Sequence, residues 1–171
     1  PSHAADEALA LEAHKILCHS LPDALLIIAP RYPERHIAHA PSRSAGHLPA
    51  ASDPVWIWDT LGEAGLIYQL ADAAYIGGTN DDTDGHNPWE AVALNTRFYH
   101  GPRLGNFKPD YLVIDETGVS ASIDDPADLA RALLINDPTW PAKARALQEQ
   151  AQTMPPQPPV PAFRRRRCRK S

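Results

Sequence analysis

The stretch GGTNDDTDGHNPWEAVAL, from Gly77 to Leu94, places two glycines and a His-Asn-Pro run directly ahead of a predicted helix. Gly77 and Gly78 let the backbone approach a ligand closely and adopt positive φ. His86 and Asn87 bring side-chain donors to the start of the helix. Because free backbone amides and the helix dipole attract anions there, a phosphate is the expected ligand.

A carboxylate follows one turn into the same helix. Glu90 could accept hydrogen bonds from two adjacent hydroxyls, such as those of a ribose. The residues alone give equal support to a second interpretation, a polar loop that binds no ligand. In that interpretation Asp84 or Asn87 caps the helix, and Glu90 interacts favourably with the helix dipole. The acidic Asp81, Asp82 and Asp84 resemble a calcium loop in composition, but the required twelve-residue pattern is absent.

Two further segments have the composition of ligand-binding loops. In PRYPER (Pro30–Arg35), Arg31 could pair with a phosphate through two hydrogen bonds, although an Arg in a turn is usually solvated. In DTLGEAG (Asp59–Gly65), Gly62 and Glu63 could lie along the same rim or simply cap a helix.

Each of these loops follows a predicted strand and precedes a predicted helix. Alternating strands and helices predict an α/β fold, a Rossmann-like parallel sheet with helices on both faces. Ligands bind such sheets at the carboxyl ends of the strands, where the three loops would meet. The predicted strands are Ala24–Ala29, Val55–Trp58, Ala73–Ile76, Arg97–Tyr99 and Val119–Ile123; the predicted helices are Asp6–His19, Pro33–His39, Leu61–Ala71, Trp89–Leu94, Phe107–Val113, Pro126–Leu134 and Pro138–Gln152.

Charge and composition divide the 171 residues into a predicted domain, 1–153, and a tail, 154–171. The last eight residues, RRRRCRKS, hold six of the 16 basic side chains, so residues 1–163 carry a net charge of −11. An acidic body argues against a nucleic-acid partner. The Pro-rich MPPQPPVP cannot be helical. The basic run predicts either a solvated end or a weak contact with a membrane surface or another anionic partner.

Several functional classes are disfavoured by what the sequence contains. No apolar run approaches the length of a membrane span, and the polar, acidic start is unlike a signal peptide. Because the chain opens without Met, we expect a processed chain or a piece of a longer one. Cys18 and Cys168 lack metal or disulfide spacing, which favours a reducing compartment. No metal site is expected.

Together these stretches resemble the 3-deoxy-D-manno-octulosonic acid (Kdo) transferases. SHAADE (Ser2–Glu7), followed by ALEAHKIL, is similar to the family's Ser/Thr-His-x-Gly-Glu-Glu segment. PRYPER is similar to Pro-Arg-His-Pro-Glu-Arg. DTLGEAG, GHNPWEAVAL and GPRLGNF are similar to the family's Asp-Thr-Met-Gly-Glu, Gly-Gly-His-Asn-Pro-Leu-Glu and Gly-Pro-His-x-x-Asn-Phe segments.

The resemblance implies the C-terminal, nucleotide-sugar-binding half of a GT-B glycosyltransferase. It implies CMP-Kdo as donor substrate with no cofactor, a lipid A precursor as acceptor, a role in lipopolysaccharide biosynthesis, and a cytoplasmic location, peripheral at the inner face of the inner membrane. The implied nucleotide-sugar-binding residues are Arg31, Gly62, Glu63, Gly77, Gly78, His86, Asn87 and Glu90, with Ser2, His3, Asn106 and Phe107 along the cleft.

The resemblance also implies that the catalytic base and most of the acceptor site belong to an N-terminal domain outside this chain. We therefore expect the chain to bind nucleotide without turning over by itself. The sequence departs from the family at Ala5, Tyr32, Leu61 and Arg103, where Gly, His, Met and His are usual, and before Val55, where it is shorter. These departures leave two alternatives open, a relative that uses another nucleotide-activated sugar and a non-catalytic nucleotide-binding domain.

Overall fold

The computed structural model describes residues 1–153 except His36, Ala38 and His39, and it leaves the Asn106 side chain undescribed. The predicted tail, 154–171, lies outside the described residues. The helices are α1 (Ala4–Leu17), α2 (Ala64–Leu70), α3 (Trp89–Ala93), α4 (Lys108–Glu116), α5 (Pro126–Leu134) and α6 (Trp140–Thr153), and the strands are β1 (Leu26–Ile28), β2 (Val55–Ile57), β3 (Ala73–Ile76), β4 (Arg97–His100) and β5 (Ser120–Ser122).

All the strand pairs are parallel, and they form two sheets rather than one. β1 pairs with β2, with Leu26 opposite Val55. β3 pairs with β4 and β4 with β5. One-residue bridges extend the pairing, between Ser2 and Pro30 and between Ser42 and Ile57. Within each sheet, the carboxyl ends of the strands therefore share one edge, as the sequence predicts.

Helices cover both faces of the larger sheet, which confirms the predicted fold class. Consecutive side chains of a strand point to opposite faces. Phe98 accordingly packs with Val92, Ile114 and Leu147, on α3, α4 and α6. Tyr99, the next residue, packs on the other face with residues of α1 and α5 such as Ala13 and Leu129.

The helix predicted over Pro33–His39 does not form in its described part. Pro33 and Glu34 form a turn, closed by a hydrogen bond from the Arg35 amide to the Tyr32 carbonyl. The Arg35 side chain pairs instead with Glu7 of α1, so a long-range contact holds this segment. Near Phe107 the predicted helix begins as one 3-10 turn, Gly105–Phe107, before α4.

Within the part of the chain that the structure describes, no helix has both the length and the apolar character needed to span a bilayer.

Candidate nucleotide-binding site

A buried carboxylate joins the start of α1 to the loop after β3. Asp6 is 1% exposed, and its carboxylate accepts hydrogen bonds from the Gly78 amide (2.6 Å), the Asn80 Nδ2 (3.1 Å) and the His3 amide (2.9 Å). A buried carboxylate needs several donors because it has lost its hydration. Asp6 therefore fixes the path of the double-glycine loop.

The neighbouring acid joins α1 to the loop after β1. Glu7 is 4% exposed; it accepts a hydrogen bond from the Ser2 hydroxyl (2.9 Å) and forms an ion pair with Arg35. Ser2 also pairs along the backbone, since the Arg31 amide donates to its carbonyl at 2.9 Å. The two acids of α1 thus hold the β1 and β3 loops side by side.

His3 and His86 stack between these loops. Their ring centroids are 5.6 Å apart with an interplanar angle of 27°. Among the residues that the structure describes, neither buried Nε2 atom has a hydrogen-bond partner. His3 Nδ1 lies 3.6 Å from a carboxylate oxygen of Asp81. Because buried polar atoms are normally satisfied, the unsatisfied nitrogens of these two stacked rings are candidates for contact with a ligand that carries acceptor oxygens.

The electrostatics of this cluster favour an anion. Burial and then the positive charges of the Pro1 amino group, His3 and Arg31 together lower the pKa of His86 to about 4. Arg31 itself is exposed. A phosphate between these groups would offset their mutual repulsion and would favour the protonated form of His86.

Glu90 lies beside the same cluster. Burial, and then the charges of Glu90, Arg31 and Asp6, act on the Pro1 amino group, whose pKa is lowered overall. Glu90 also acts on Tyr68, whose pKa burial raises to about 12. Glu90 is exposed in the first turn of α3. Arg31 and Glu90 are therefore both close enough to the Pro1 amino group for their charges to act on it.

Both glycines of the β3 loop are required by their surroundings. A Cβ atom on Gly77 would lie 2.4 Å from the Pro1 carbonyl oxygen, too close for any side chain. Gly78 has φ +73°, and a Cβ there would lie 3.2 Å from His86 Nε2. The loop can therefore lie directly against the His86 imidazole.

The short α3 changes the predicted source of anion attraction. It has five residues, little more than one turn, so its dipole is small. Asn87 accepts a hydrogen bond from the Trp89 amide at 3.0 Å and acts as a local cap. The cationic side chain of the site is instead Arg31, and the His3 and His86 rings add nitrogens that can form hydrogen bonds.

Gly62 and Glu63 lie at the carboxyl end of β2, where Glu63 is saturated by internal partners. Arg43 donates to its two oxygens at 2.7 and 2.8 Å, and Trp58 Nε1 donates at 2.9 Å. These hydrogen bonds, with one from Thr60, lower the pKa of Glu63 to about 2. The Arg43 guanidinium also lies 4.3 Å from the centre of the Trp58 ring.

The last predicted cleft residues follow β4. Phe107 is half-buried and packs against the core cluster that includes Leu104 and Tyr111. The side chain of Asn106 is not described. A cavity of about 640 Å³ opens beneath the site, bordered by Ser2, Asp6 and Gly77, whereas Arg31, His86 and Glu90 do not line it.

The comparisons with known proteins agree with this geometry. No family model matches. The Kdo transferase of Haemophilus influenzae is 29% identical over 143 residues, which cover 77% of this chain and 34% of that protein. The Rickettsia felis enzyme is 33% identical over 60% of this chain and 24% of its own length. A probable mitochondrial Kdo transferase of Arabidopsis thaliana is 32% identical over 61% of this chain.

A solved structure also matches over most of the chain. The C-terminal CMP-Kdo binding domain of WaaA from Acinetobacter baumannii superposes with a TM-score of 0.76, at 27% sequence identity, over 86% of both chains. This chain is similar in sequence and fold to the C-terminal domain of the Kdo transferases. The resemblance and the GT-B-type fold class predicted from the sequence are confirmed.

The matched region is a limited part of the Kdo transferases. The chain spans about a quarter to a third of the length of these curated relatives. The matches therefore do not assign the acceptor site of a whole Kdo transferase to this chain. The assignment of individual binding residues stays a prediction, as does the division at residue 153.

Sequence reasoning missed the residues that organise the site. Asp6 and Glu7 appeared only as part of a matched motif, and Asn80, Arg35 and Arg43 were not singled out. Asp6 follows the N-cap residue His3 by three positions, the spacing of a reciprocal helix cap, and this was the available signal. Arg43 carried no signal, because its partner Glu63 lies 20 residues away.

Proposed function

We propose that this chain is the donor-binding domain of a Kdo transferase and that it binds CMP-Kdo, or CMP after transfer. The observation that carries the proposal is the stacked His3–His86 pair, whose Nε2 atoms are unsatisfied, in a chain similar to a CMP-Kdo binding domain. Arg31 is close enough to this pair for its charge to act on His86. The arrangement supplies one guanidinium and two imidazoles at the position where the family resemblance implies a phosphate.

Each group has a proposed task. Arg31 and the two imidazoles hold the phosphate and stabilise the negative charge that develops on it as the sugar departs. Glu90 accepts from the ribose hydroxyls. Asp6 and Glu7 are positioning residues, because they touch the loops rather than the ligand.

Transfer of Kdo to a lipid A precursor is proposed for an enzyme that combines this domain with an acceptor domain. General base catalysis at the acceptor hydroxyl needs a carboxylate beside the acceptor. We propose that such a base is supplied outside this chain and that the chain alone binds donor without turnover. A peripheral position at the inner face of the inner membrane belongs to the same proposal, as does binding without a cofactor.

Nucleotide titration tests the donor assignment. The full chain is titrated calorimetrically with CMP, CDP, UMP and UDP, with and without EDTA. Tighter binding of CMP, unchanged by EDTA, supports the proposal. Preference for a uridine nucleotide would indicate a relative with another donor, and no binding at millimolar nucleotide would contradict the donor-binding role of this chain.

A matched pair of variants locates the phosphate. Arg31→Ala should weaken CMP binding by about 1.5–3 kcal/mol, the range for hydrogen bonds to charged groups. Arg131→Ala is the control, since Arg131 is exposed on α5 and pairs with Asp128. Equal CMP affinity in both variants would remove Arg31 from the site.

A further inference from the structure

The backbone of His86 is bonded to a buried side chain of α4. The Tyr111 hydroxyl donates to the His86 carbonyl at 2.8 Å. Tyr111 is 0% exposed, so this hydrogen bond joins the protein core directly to a residue of the candidate site. Burial raises the pKa of the Tyr111 hydroxyl, which therefore stays protonated and remains a donor at neutral pH.

The chain around His86 is a turn rather than a regular element. Asp84 and Gly85, directly ahead of His86, have positive φ (+60° and +82°), and α3 begins only at Trp89. The Gly85 amide donates to a carbonyl of the loop after β3 at 2.6 Å, which fixes the chain on one side of His86. The Tyr111 hydroxyl fixes it on the other side.

The Tyr111 ring is held firmly by its surroundings. It lies against the Phe98 ring, with centroids 6.5 Å apart, and against the His100 ring, with centroids 4.4 Å apart. His100 is itself bonded at both ring nitrogens, to the Gly101 carbonyl at 2.8 Å and to the Asp115 carboxylate at 3.0 Å. Because a close-packed core leaves such a ring little room to move, the Tyr111 hydroxyl has a fixed position.

The residue before Tyr111 holds the same turn further along the chain. Trp89 Nε1 donates to the Asp110 carboxylate at 2.7 Å, and Asp110 is 7% exposed. The buried face of α4 thus contacts the turn at His86 and again at Trp89. A side chain whose backbone is already fixed loses less freedom when a ligand binds, and this preorganisation favours binding.

We propose that Tyr111 is a positioning residue for the phosphate, because its hydroxyl fixes the His86 backbone so that the unsatisfied Nε2 atom stays where the anion binds. This role rests on the proposed function, in which His86 holds the phosphate. Stability requires only that a buried hydroxyl has a partner, which any carbonyl could supply. The selection of the His86 carbonyl gives Tyr111 its role in binding.

Two tyrosines separate this role from stability. Tyr111→Phe removes the hydroxyl and keeps the ring. Tyr99→Phe is the matched control, because the Tyr99 hydroxyl also donates to a backbone carbonyl at 2.8 Å, that of Ala132, and Tyr99 is 3% exposed on the other face of the sheet. Both variants should lower the urea midpoint to a similar extent, since each loses one buried hydrogen bond. In calorimetric titrations of the full chain, only Tyr111→Phe should raise the CMP Kd, by about fivefold or more.

Sulfate tests the same role without a nucleotide. The NMR signals of the His86 ring are assigned with His86→Gln. At a pH just above the His86 pKa of about 4, sulfate should perturb these signals in the original chain and in Tyr99→Phe at similar concentrations. Half-saturation in Tyr111→Phe should need about fivefold more sulfate or beyond. A purely structural Tyr111 would leave this concentration unchanged.

The outcomes distinguish the role of Tyr111 from the donor assignment. Equal values in the two variants, for CMP and for sulfate, would overturn the proposal. If the original chain binds no CMP but sulfate reaches His86 and binds more weakly in Tyr111→Phe, the donor assignment is contradicted and the role of Tyr111 is supported. If sulfate leaves the His86 signals of the original chain unchanged, the anion site and the role of Tyr111 are both contradicted.

Discussion

The β1 and β3 loops differ from the β2 loop in how their polar side chains are satisfied. Around the first two loops, buried acids hold the backbone while His3 and His86 keep unsatisfied nitrogens. In the β2 loop, Glu63 receives donors from Arg43, Trp58 and Thr60. Unsatisfied atoms inside a well-ordered frame indicate a ligand, whereas a saturated carboxylate indicates a structural role.

The largest expected effect comes from removing the Asp6 carboxylate, which holds the loop after β3 in place. Asp6→Ala leaves the buried Gly78 amide without its acceptor and removes one of the two acceptors of the Asn80 amide group, the other being the Tyr75 hydroxyl; each lost hydrogen bond of this kind costs about 1–3 kcal/mol. We expect the free energy of unfolding to fall by about 2–4 kcal/mol in urea titrations followed by tryptophan fluorescence. Asp124→Ala, on the exposed surface, should change it by less than about 0.5 kcal/mol. Similar values for both would mean that Asp6 does not organise the loops.

Two glutamates test the difference between a ligand-facing and a saturated carboxylate. Glu90→Gln should weaken CMP binding by about 1.5–3 kcal/mol, because an amide accepts ribose hydroxyls more weakly than a carboxylate does. Glu63→Gln should affect CMP affinity less, since the Glu63 oxygens are already engaged by Arg43 and Trp58. Calorimetric titration of both variants checks this order. A larger loss in Glu63→Gln would place the ribose at the β2 loop.

A pair of glycines sharpens the same comparison. Gly62 (φ +83°) and Gly78 (φ +73°) both have left-handed backbone, so alanine at either strains the chain by about 1–2 kcal/mol. A Cβ on Gly62 meets nothing within 4 Å, whereas one on Gly78 presses on His86. We therefore expect Gly78→Ala to reduce both stability and CMP affinity, and Gly62→Ala to reduce stability alone. Equal CMP affinities would show that His86 does not need its present position.

The sequence predicted the elements well where local patterns decide them. β3 and α5 form over the predicted residues, because Ala73–Ile76 is bounded by turn-forming residues and Asp125 caps a helix that begins with Pro126. It failed where long-range contacts decide. The turn at Pro33 is held by the pairing of Arg35 with Glu7, 28 residues away, which no local pattern contains.

In the candidate site, too, the sequence predicted the local arrangement but not the long-range contacts. Gly77, Gly78, His86 and Glu90 belong to one loop and helix, so their proximity follows from their spacing. Only the fold brings these residues close to His3 and Arg31, because those two residues belong to other elements. The saturation of Glu63 was not predictable, since it depends on Arg43 and on the packing of Trp58.

The smallest expected effect is on the pH dependence of stability, and it concerns only the β1 and β3 loops. Burial and neighbouring positive charge lower the pKa of His86 to about 4, below its ordinary value of 6.5. Between pH 4 and 6.5, His86 therefore binds a proton in the unfolded chain but not in the folded chain. As a result, His86 makes the free energy of unfolding fall as the pH falls from 6.5 to 4. Burial also lowers the pKa of His14, which adds to the same slope.

His86→Gln should accordingly reduce, without abolishing, the dependence of the urea midpoint on pH between 4 and 6.5. Sulfate, which remains a dianion throughout, should reduce the slope in the original chain because an anion beside His86 stabilises its protonated form. It should have less effect in the variant. If sulfate reduces the pH dependence of the urea midpoint equally in both chains, the anion binds elsewhere. The unsatisfied imidazoles would then no longer distinguish the β1 and β3 loops from the β2 loop.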